Sequence, residues 1–398
     1  MQKFPVFILF AAMIEWNKRI LKAFVFCFLF MMMAVLPQSA FAQTNRYTDS
    51  LKQAVFGGRL HYGFIFVHSY HVENVRGGRP RGFELEYSKQ FTDSNTFKKY
   101  HCYPRTGWSF TYTDYDKSFL GSSWSASYFV EPQFRLSNKA NFLVRGTLGL
   151  SYLTNPFDSI KNPENASYSL PVNFNLQLGV GISYHISRHT SLYGMGNFFH
   201  NSNGDLAQPN RGVNYINASL GVLYHTYSSN LPHYKKIKDT SWRTKPIHID
   251  ASFFFTPKSG YNAVRKPTRY FVAGVGAAAG KEVSSSNAIT LAGEIYYDDA
   301  LRSIKDLIHD DSPSTLGGIL IGHQFLINKF SFGQQMGVYV YKHLKTYNEL
   351  WGDRWHTLYQ RYTIDYNIKN HWYLGVSLLT HAQVADFFDG RVIYRFNK

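Results

Sequence analysis

Two short runs of the chain hold residue types that do acyl or phosphoryl chemistry elsewhere: Phe198-Phe199-His200-Asn201-Ser202-Asn203-Gly204 and, after a brief loop, Pro209-Asn210-Arg211-Gly212-Val213-Asn214. Residues two apart on a β-strand share a face, so His200 and Ser202 would project side by side, a base next to a hydroxyl that it can deprotonate. Asn203 and the backbone of Gly204 follow at once, where a tetrahedral oxyanion needs donors. The same residues are also ordinary turn formers. Whether they make a nucleophilic site therefore depends on the elements that carry them.

Composition narrows the class of those elements. The 398 residues include 29 Tyr, 33 Phe and 7 Trp but only 17% charged residues, and the mean hydropathy is slightly negative. Aromatic side chains are thus interleaved with polar ones, as alternating strands require, and are not gathered into apolar helices. The formal charge is +16, of which about +13 remains once the segment up to Ala42 is set aside. Such an excess suits nucleic acid or a surface that meets phosphorylated lipid.

The N-terminus decides between these. Lys18, Arg19 and Lys22 precede the apolar run 23–36, and Ala40-Phe41-Ala42 supplies the small residues of a signal-peptidase site. Residues 1–42 are expected to be a signal peptide, with Met13 as an alternative start and residues 1–12 as an over-extended one. The basic charge then points to lipid and not to nucleic acid. Cys27 leaves with the leader and Cys102 remains alone, so the mature chain has no intramolecular disulfide.

Beyond residue 43 no apolar run reaches helical membrane-spanning length. Instead, segments of ten to fourteen residues alternate with period two, the pattern of outer-membrane barrels. In 172–186, Val172, Phe174, Leu176, Leu178, Val180, Ile182, Tyr184 and Ile186 form an apolar face. Asn173, Asn175, Gln177, Ser183 and His185 form a polar one. The first half reads as eight strands at 59–69, 80–90, 102–115, 124–137, 140–153, 172–187, 190–203 and 212–227. Short turns alternate with longer loops, and the long connection 91–101 falls where a short turn is expected. With the N-terminus in the periplasm, the seventh strand carries His200 and Ser202 to its external end. The eighth strand brings Asn214 there with the parity of its apolar face, Ile216, Ala218, Leu220 and Val222. The parity of the seventh strand leaves it open whether His200 and Ser202 also face outward.

These residues resemble the outer-membrane lipid A 3-O-deacylases of the PagL type, eight-stranded barrels with an H-x-S-N motif on the penultimate strand. The resemblance covers 59–227 and is most specific at His200-Asn201-Ser202-Asn203-Gly204 and at Pro209-Asn210-x-Gly212. It implies His200 as general base, Ser202 as nucleophile and Asn203 as an oxyanion donor. The family pattern has a glutamate where this chain has Asn214, and an amide orients a histidine without neutralising its charge. The chain is also similar to the longer acyloxyacyl-hydrolase-type relatives of Bacteroidetes. Asp205 is the acid nearest the motif in sequence.

A basic stretch, 228–246, reads as a periplasmic connector to a second unit, 247–398. Its eight strands fall at 247–258, 269–283, 287–299, 314–328, 330–343, 355–369, 371–382 and 385–396. His381 occupies the place of His200 but lacks the serine two residues on, and by parity it points into the lumen. Asp298-Asp299 and His309-Asp310-Asp311 read as exposed loop charge and not as a cation site. The fold class is all-β, a transmembrane antiparallel β-barrel of about sixteen strands. A single barrel is the favoured arrangement and two tandem eight-stranded barrels the alternative.

The expected function is hydrolysis of an ester-linked acyl chain of lipid A in the outer membrane, without cofactor or metal. Arg211 and Arg79 are the residues expected to pair with the phosphates of the lipopolysaccharide. The competing expectation is a non-catalytic barrel, channel or structural, whose motif has decayed with loss of the glutamate.

Overall fold

The computed structural model describes residues 52–236, 239–261, 267–302, 313–342, 357–381 and 384–396. The leader and His309-Asp310-Asp311 lie outside them. Among these residues seventeen strands run in chain order, and sixteen of them are long. The first nine are β1 (Lys52–Ile65), β2 (Arg81–Phe91), β3 (Arg105–Asp114), β4 (Ser122–Glu131), the short β5 (Gln133–Arg135), β6 (Ala140–Leu153), β7 (Val172–His185), β8 (Thr190–Ser202) and β9 (Val213–His225). The rest are β10 (His248–Tyr261), β11 (Pro267–Ser284), β12 (Asn287–Asp298), β13 (Thr315–Ile327), β14 (Phe330–Tyr341), β15 (Leu358–Lys369), β16 (Trp372–His381) and β17 (Val384–Arg395).

The strands close twice, so the favoured single sixteen-stranded barrel gives way to two eight-stranded ones. β9 returns to pair with β1, from Val55 opposite His225 to Ile65 opposite Tyr215, and β4 pairs with β6. In the second half β10 pairs with β17. Strand count alone cannot separate one ring of sixteen from two of eight. The pairing of each half's first and last strands decides it.

Both barrels are inside out relative to a soluble core. On β7, Leu178, Val180 and Ile182 are each more than half exposed while Asn173, Asn175, Gln177 and Ser183 are buried. An apolar belt outside and a polar interior suit a wall that meets lipid tails. No helix among the described residues is long and apolar enough to cross a membrane.

The lumen of the first barrel is filled. Arg59, Arg105 and Arg145 interleave with Glu84, Glu86 and Glu131, all with fully buried side chains. Arg145 reaches all three carboxylates, at 2.9 Å from Glu84, 2.7 Å from Glu86 and 2.6 Å from Glu131. Three positive and three negative groups cancel, and removing one would strand a buried charge at about 3–5 kcal/mol. Above this network an apolar plug of Ile65, Val72, Val75, Tyr115, Leu120, Tyr168, Phe199 and Tyr215 closes the external mouth. The second barrel repeats the device with Arg361 between Glu294, at 2.9 Å, and Asp389, at 2.6 Å.

Three local expectations change. The first strand runs Lys52–Ile65 and not 59–69, because Gln53, Val55 and Gly57 continue the inward parity of Arg59 and His61. The connection 91–101 contains a helix, Ser94–Tyr100, whose first turn is capped by the Asp93 carboxylate on the Thr96 N–H. Its end touches the second barrel: Ser285 Oγ donates to the Lys99 carbonyl at 2.8 Å, and the Asn328 N–H donates to Tyr100 Oη at 3.0 Å. Asp298 is no exposed loop charge; it is buried at the end of β12 with Lys258 Nζ at 2.9 Å. His381 does point inward, 3.1 Å from the Tyr339 hydroxyl. Cys102 is a buried free thiol.

Candidate active site

The parity of β8 is resolved by what it buries. Tyr193, Met195, Asn197, Phe199 and Asn201 point into the barrel, so Phe198, His200 and Ser202 face outward. Asn201 fixes the strand at this point. Its Oδ1 accepts from Ser151 Oγ and Asn175 Nδ2, each at 2.8 Å, and its Nδ2 donates to Tyr115 Oη at 3.0 Å. Phe199 stacks on Tyr215 of β9 at 4.8 Å between ring centres. With the inward residues locked on both sides of it, His200 has little freedom on the outer wall.

His200 and Asn214 are direct cross-strand partners, and Ser202 is two residues further along β8. Ser202 Oγ lies 2.8 Å from His200 Nε2, and His200 Nδ1 lies 2.5 Å from Asn214 Oδ1. If Nε2 accepts, the ring proton must sit on Nδ1 and be donated to the amide oxygen. Gly212 makes room for this ring. Its φ is +75°, and a Cβ there would stand 2.9 Å from His200 Cε1.

A fourth residue, which sequence reasoning missed, continues the line. His68 follows the external end of β1, and Phe66 donates its N–H to the Asn214 carbonyl at 2.8 Å. This brings the His68 ring alongside, with Nδ1 3.0 Å from Asn214 Nδ2 and Nε2 2.8 Å from the Arg211 carbonyl. A signal was present: His68 shares the outward parity of Leu60, Tyr62, Phe64 and Phe66, on the strand to which an eight-stranded barrel must return.

The other expected residues are placed differently. The side chain of Asn203 is buried and its Nδ2 donates to the Ala207 carbonyl at 2.8 Å and to Ser169 Oγ at 3.3 Å, while its N–H donates to Asn210 Oδ1. That amide holds the loop and is engaged away from Ser202. Gly204, at φ +65°, packs beneath two rings, Phe174 of β7 and Phe388 of β17, whose centres are 4.4 Å apart. Asp205 turns to the second barrel, its carboxylate accepting from Gln208 and from Ser259 Oγ. Arg211 is exposed and contributes its carbonyl to His68. Arg79 is exposed at the start of β2, three strands from β8 around the wall and so about 14 Å away.

A closed β-barrel with an apolar outer wall and a polar, filled lumen, bearing a hydrogen-bonded serine and histidine on that outer wall, defines a class: a membrane-type barrel with a His–Ser pair at its surface. The comparisons name the family. Residues 81–223 match the family described as lipid A 3-O-deacylase (PagL), and residues 247–398 match the acyloxyacyl hydrolase C-terminal domain. Each half of the chain thus carries a domain of the PagL type, the first matching the lipid A 3-O-deacylase model and the second the acyloxyacyl hydrolase C-terminal one. No curated protein matches the chain. Among solved structures it is similar to the outer membrane enzyme PagL, with 16% identity, 42% of this chain and 97% of that one covered, and a TM-score of 0.31. Neisserial surface protein A aligns with 13% identity over 43% of this chain and 96% of that one, at a TM-score of 0.30. The toluene transporter TodX of P. putida aligns with 11% identity over 88% and 91%, at 0.18.

Proposed function

We propose that the protein removes an ester-linked acyl chain from lipid A in the outer leaflet of the outer membrane, with Ser202 as nucleophile and His200 as general base. The observation that carries this is the Ser202–His200–Asn214 line on the outer wall, with hydrogen bonds of 2.8 and 2.5 Å. Ser202 Oγ attacks the ester carbonyl as its proton passes to His200 Nε2. The imidazolium then gives that proton to the departing alkoxide of the deacylated lipid, leaving an acyl-serine. Water, deprotonated by the same nitrogen, releases the fatty acid. Because the Asn203 amide is engaged in its loop, the backbone N–H of Gly204 is the better candidate to meet the oxyanion. Arg211, exposed beside the site, would pair with a phosphate of the substrate, and Arg79 would reach only a more distant group.

The alternative of a decayed, non-catalytic barrel is favoured by the missing glutamate alone. Against it stand an intact proton line and a first lumen too full of paired charge to conduct. Mass spectrometry of lipid A from cells expressing the wild type or Ser202→Ala decides between them. The expected result is loss of one acyl chain's mass with the wild type and none with the variant. Identical masses in the two strains would remove the proposal.

A further inference from the structure

We propose that His68 is a positioning residue, holding the Asn214 amide so that its oxygen and not its nitrogen meets His200. This rests on the hydrolytic reading of Ser202 and His200.

An asparagine side chain has two nearly isosteric ends of opposite polarity. With Oδ1 toward His200, the ring carries its proton on Nδ1 and leaves Nε2 free to take the serine proton. Turned over, Nδ2 would donate to His200 Nδ1 and push the ring proton to Nε2, which could then only donate to Ser202 Oγ. That tautomer cannot start the reaction. A glutamate has no wrong end, so the problem arises with Asn214.

The structure contains the remedy. Asn214 Nδ2 lies 3.0 Å from His68 Nδ1, which can receive it only if the proton of the His68 ring is on Nε2. His68 Nε2 lies 2.8 Å from the Arg211 carbonyl oxygen, and a carbonyl only accepts. The Phe66 carbonyl also lies 3.5 Å from His68 Nδ1, but the Arg211 oxygen, nearer its nitrogen at 2.8 Å, makes the stronger bond and sets the direction of each in turn: His68 Nε2–H to Arg211, Asn214 Nδ2–H to His68 Nδ1, His200 Nδ1–H to Asn214 Oδ1, and Ser202 Oγ–H to His200 Nε2. Arg211 is held for this purpose by its own N–H, which donates to the Ala166 carbonyl at 3.2 Å.

The test reads nucleophile activation separately from the natural substrate. Full-length protein in detergent is reacted with a fluorophosphonate serine probe, and the labelling rate of Ser202 is compared for wild type, His68→Leu and His68→Asn, alongside release of fatty acid from lipid A in mixed micelles. Leucine fills the space but cannot accept; asparagine puts an oxygen near the place of Nδ1. The expected result is about a fivefold slower labelling and an equal fall in kcat, with KM unchanged, for His68→Leu, and recovery for His68→Asn. In an Asn214→Asp background, where either end accepts, His68→Leu should slow labelling by less than twofold. Heat-modifiable gel migration checks that each variant folds.

Equal labelling of wild type and His68→Leu, or equal slowing by leucine and asparagine, overturns the inference. Labelling that follows the expected order without any release of fatty acid would leave the inference standing and remove the lipid A reading. A wild type whose Ser202 is not labelled would remove both.

Discussion

The carbonyl oxygen of Asp205, one residue past Gly204 in the first barrel, accepts two hydrogen bonds from Ser259 of the second, from its N–H at 2.9 Å and from its hydroxyl at 2.7 Å. The loop that follows Ser202 is therefore pinned from outside its own barrel. The Phe174–Phe388 contact beside it serves the same end.

This pin should respond to pH. Burial pushes the Asp205 carboxyl up from 3.8 to about 7, helped by Asp386 and opposed by Lys258. A folded pKa above the unfolded one means that the folded state holds the extra proton. Its contribution is full below 3.8 and is lost as pH rises through about 7. Amide exchange in 203–212, corrected for its intrinsic rate, should quicken as pH rises from about 4 to about 7 and level off above that. Asp205→Asn should flatten the profile, and a wild-type profile that is already flat would refute the assignment.

Asn214→Ala removes both the acceptor for His200 and the donor to His68. We expect kcat to fall by about a hundredfold on lipid A micelles, with normal gel migration. Asn214→Glu should retain activity, since a carboxylate orients the ring and also stabilises the imidazolium. Desolvation opposes this, but on the proposed reading the site lies at the membrane interface, where charge penalties fall to about 0–1 kcal/mol. Wild-type turnover in Asn214→Ala would show that His200 is oriented by something else.

At Gly212 a methyl group has nowhere to go. It would press on His200 Cε1 at 2.9 Å and on the Asn201 carbonyl at 3.2 Å, in a left-handed conformation that itself disfavours a side chain by about 1 kcal/mol. Gly212→Ala should fold and lose about tenfold in kcat, because a small displacement of the ring breaks its alignment with Ser202. Retained activity would mean that the ring tolerates the shift.

Closure of β9 on β1 predicts that the segment 43–228 folds alone in detergent and shows heat-modifiable migration. Without Ser259 and Phe388 its loop should exchange faster and its kcat should be lower than that of the full chain. Failure of this segment to fold would mean that the second barrel is needed for more than the loop.

Much of this was legible in the sequence because a barrel wall imposes a strict alternation. Strands β6 to β9 were readable to within about two residues, since β6, β7 and β9 alternate between apolar and small or polar positions and β8, though apolar on both faces at Phe198-Phe199, is bounded by turn residues. The His200–Ser202 spacing was readable for the same reason. Closure was not, because Arg395 pairing with Asp250 and His225 with Val55 are contacts between distant segments, and no local period encodes them. His68 was hidden by the same cause: it neighbours Asn214 only once β9 has returned to β1. The partners of Asn203 were not legible either, because Ala207 and Ser169 reach its amide only once the 203–212 loop has folded back.

The filled interior of the first barrel has a bearing on the cell that carries it. With Arg145 bound to three carboxylates at once and an aromatic lid over the mouth, the wall encloses a solid strut and not a pipe. Ions and small solutes find no path along that axis, and a planar bilayer holding the first barrel should be electrically silent. On the lipid A reading, many copies of such a barrel could stand in a membrane and edit its lipid without admitting antibiotics or bile through this lumen.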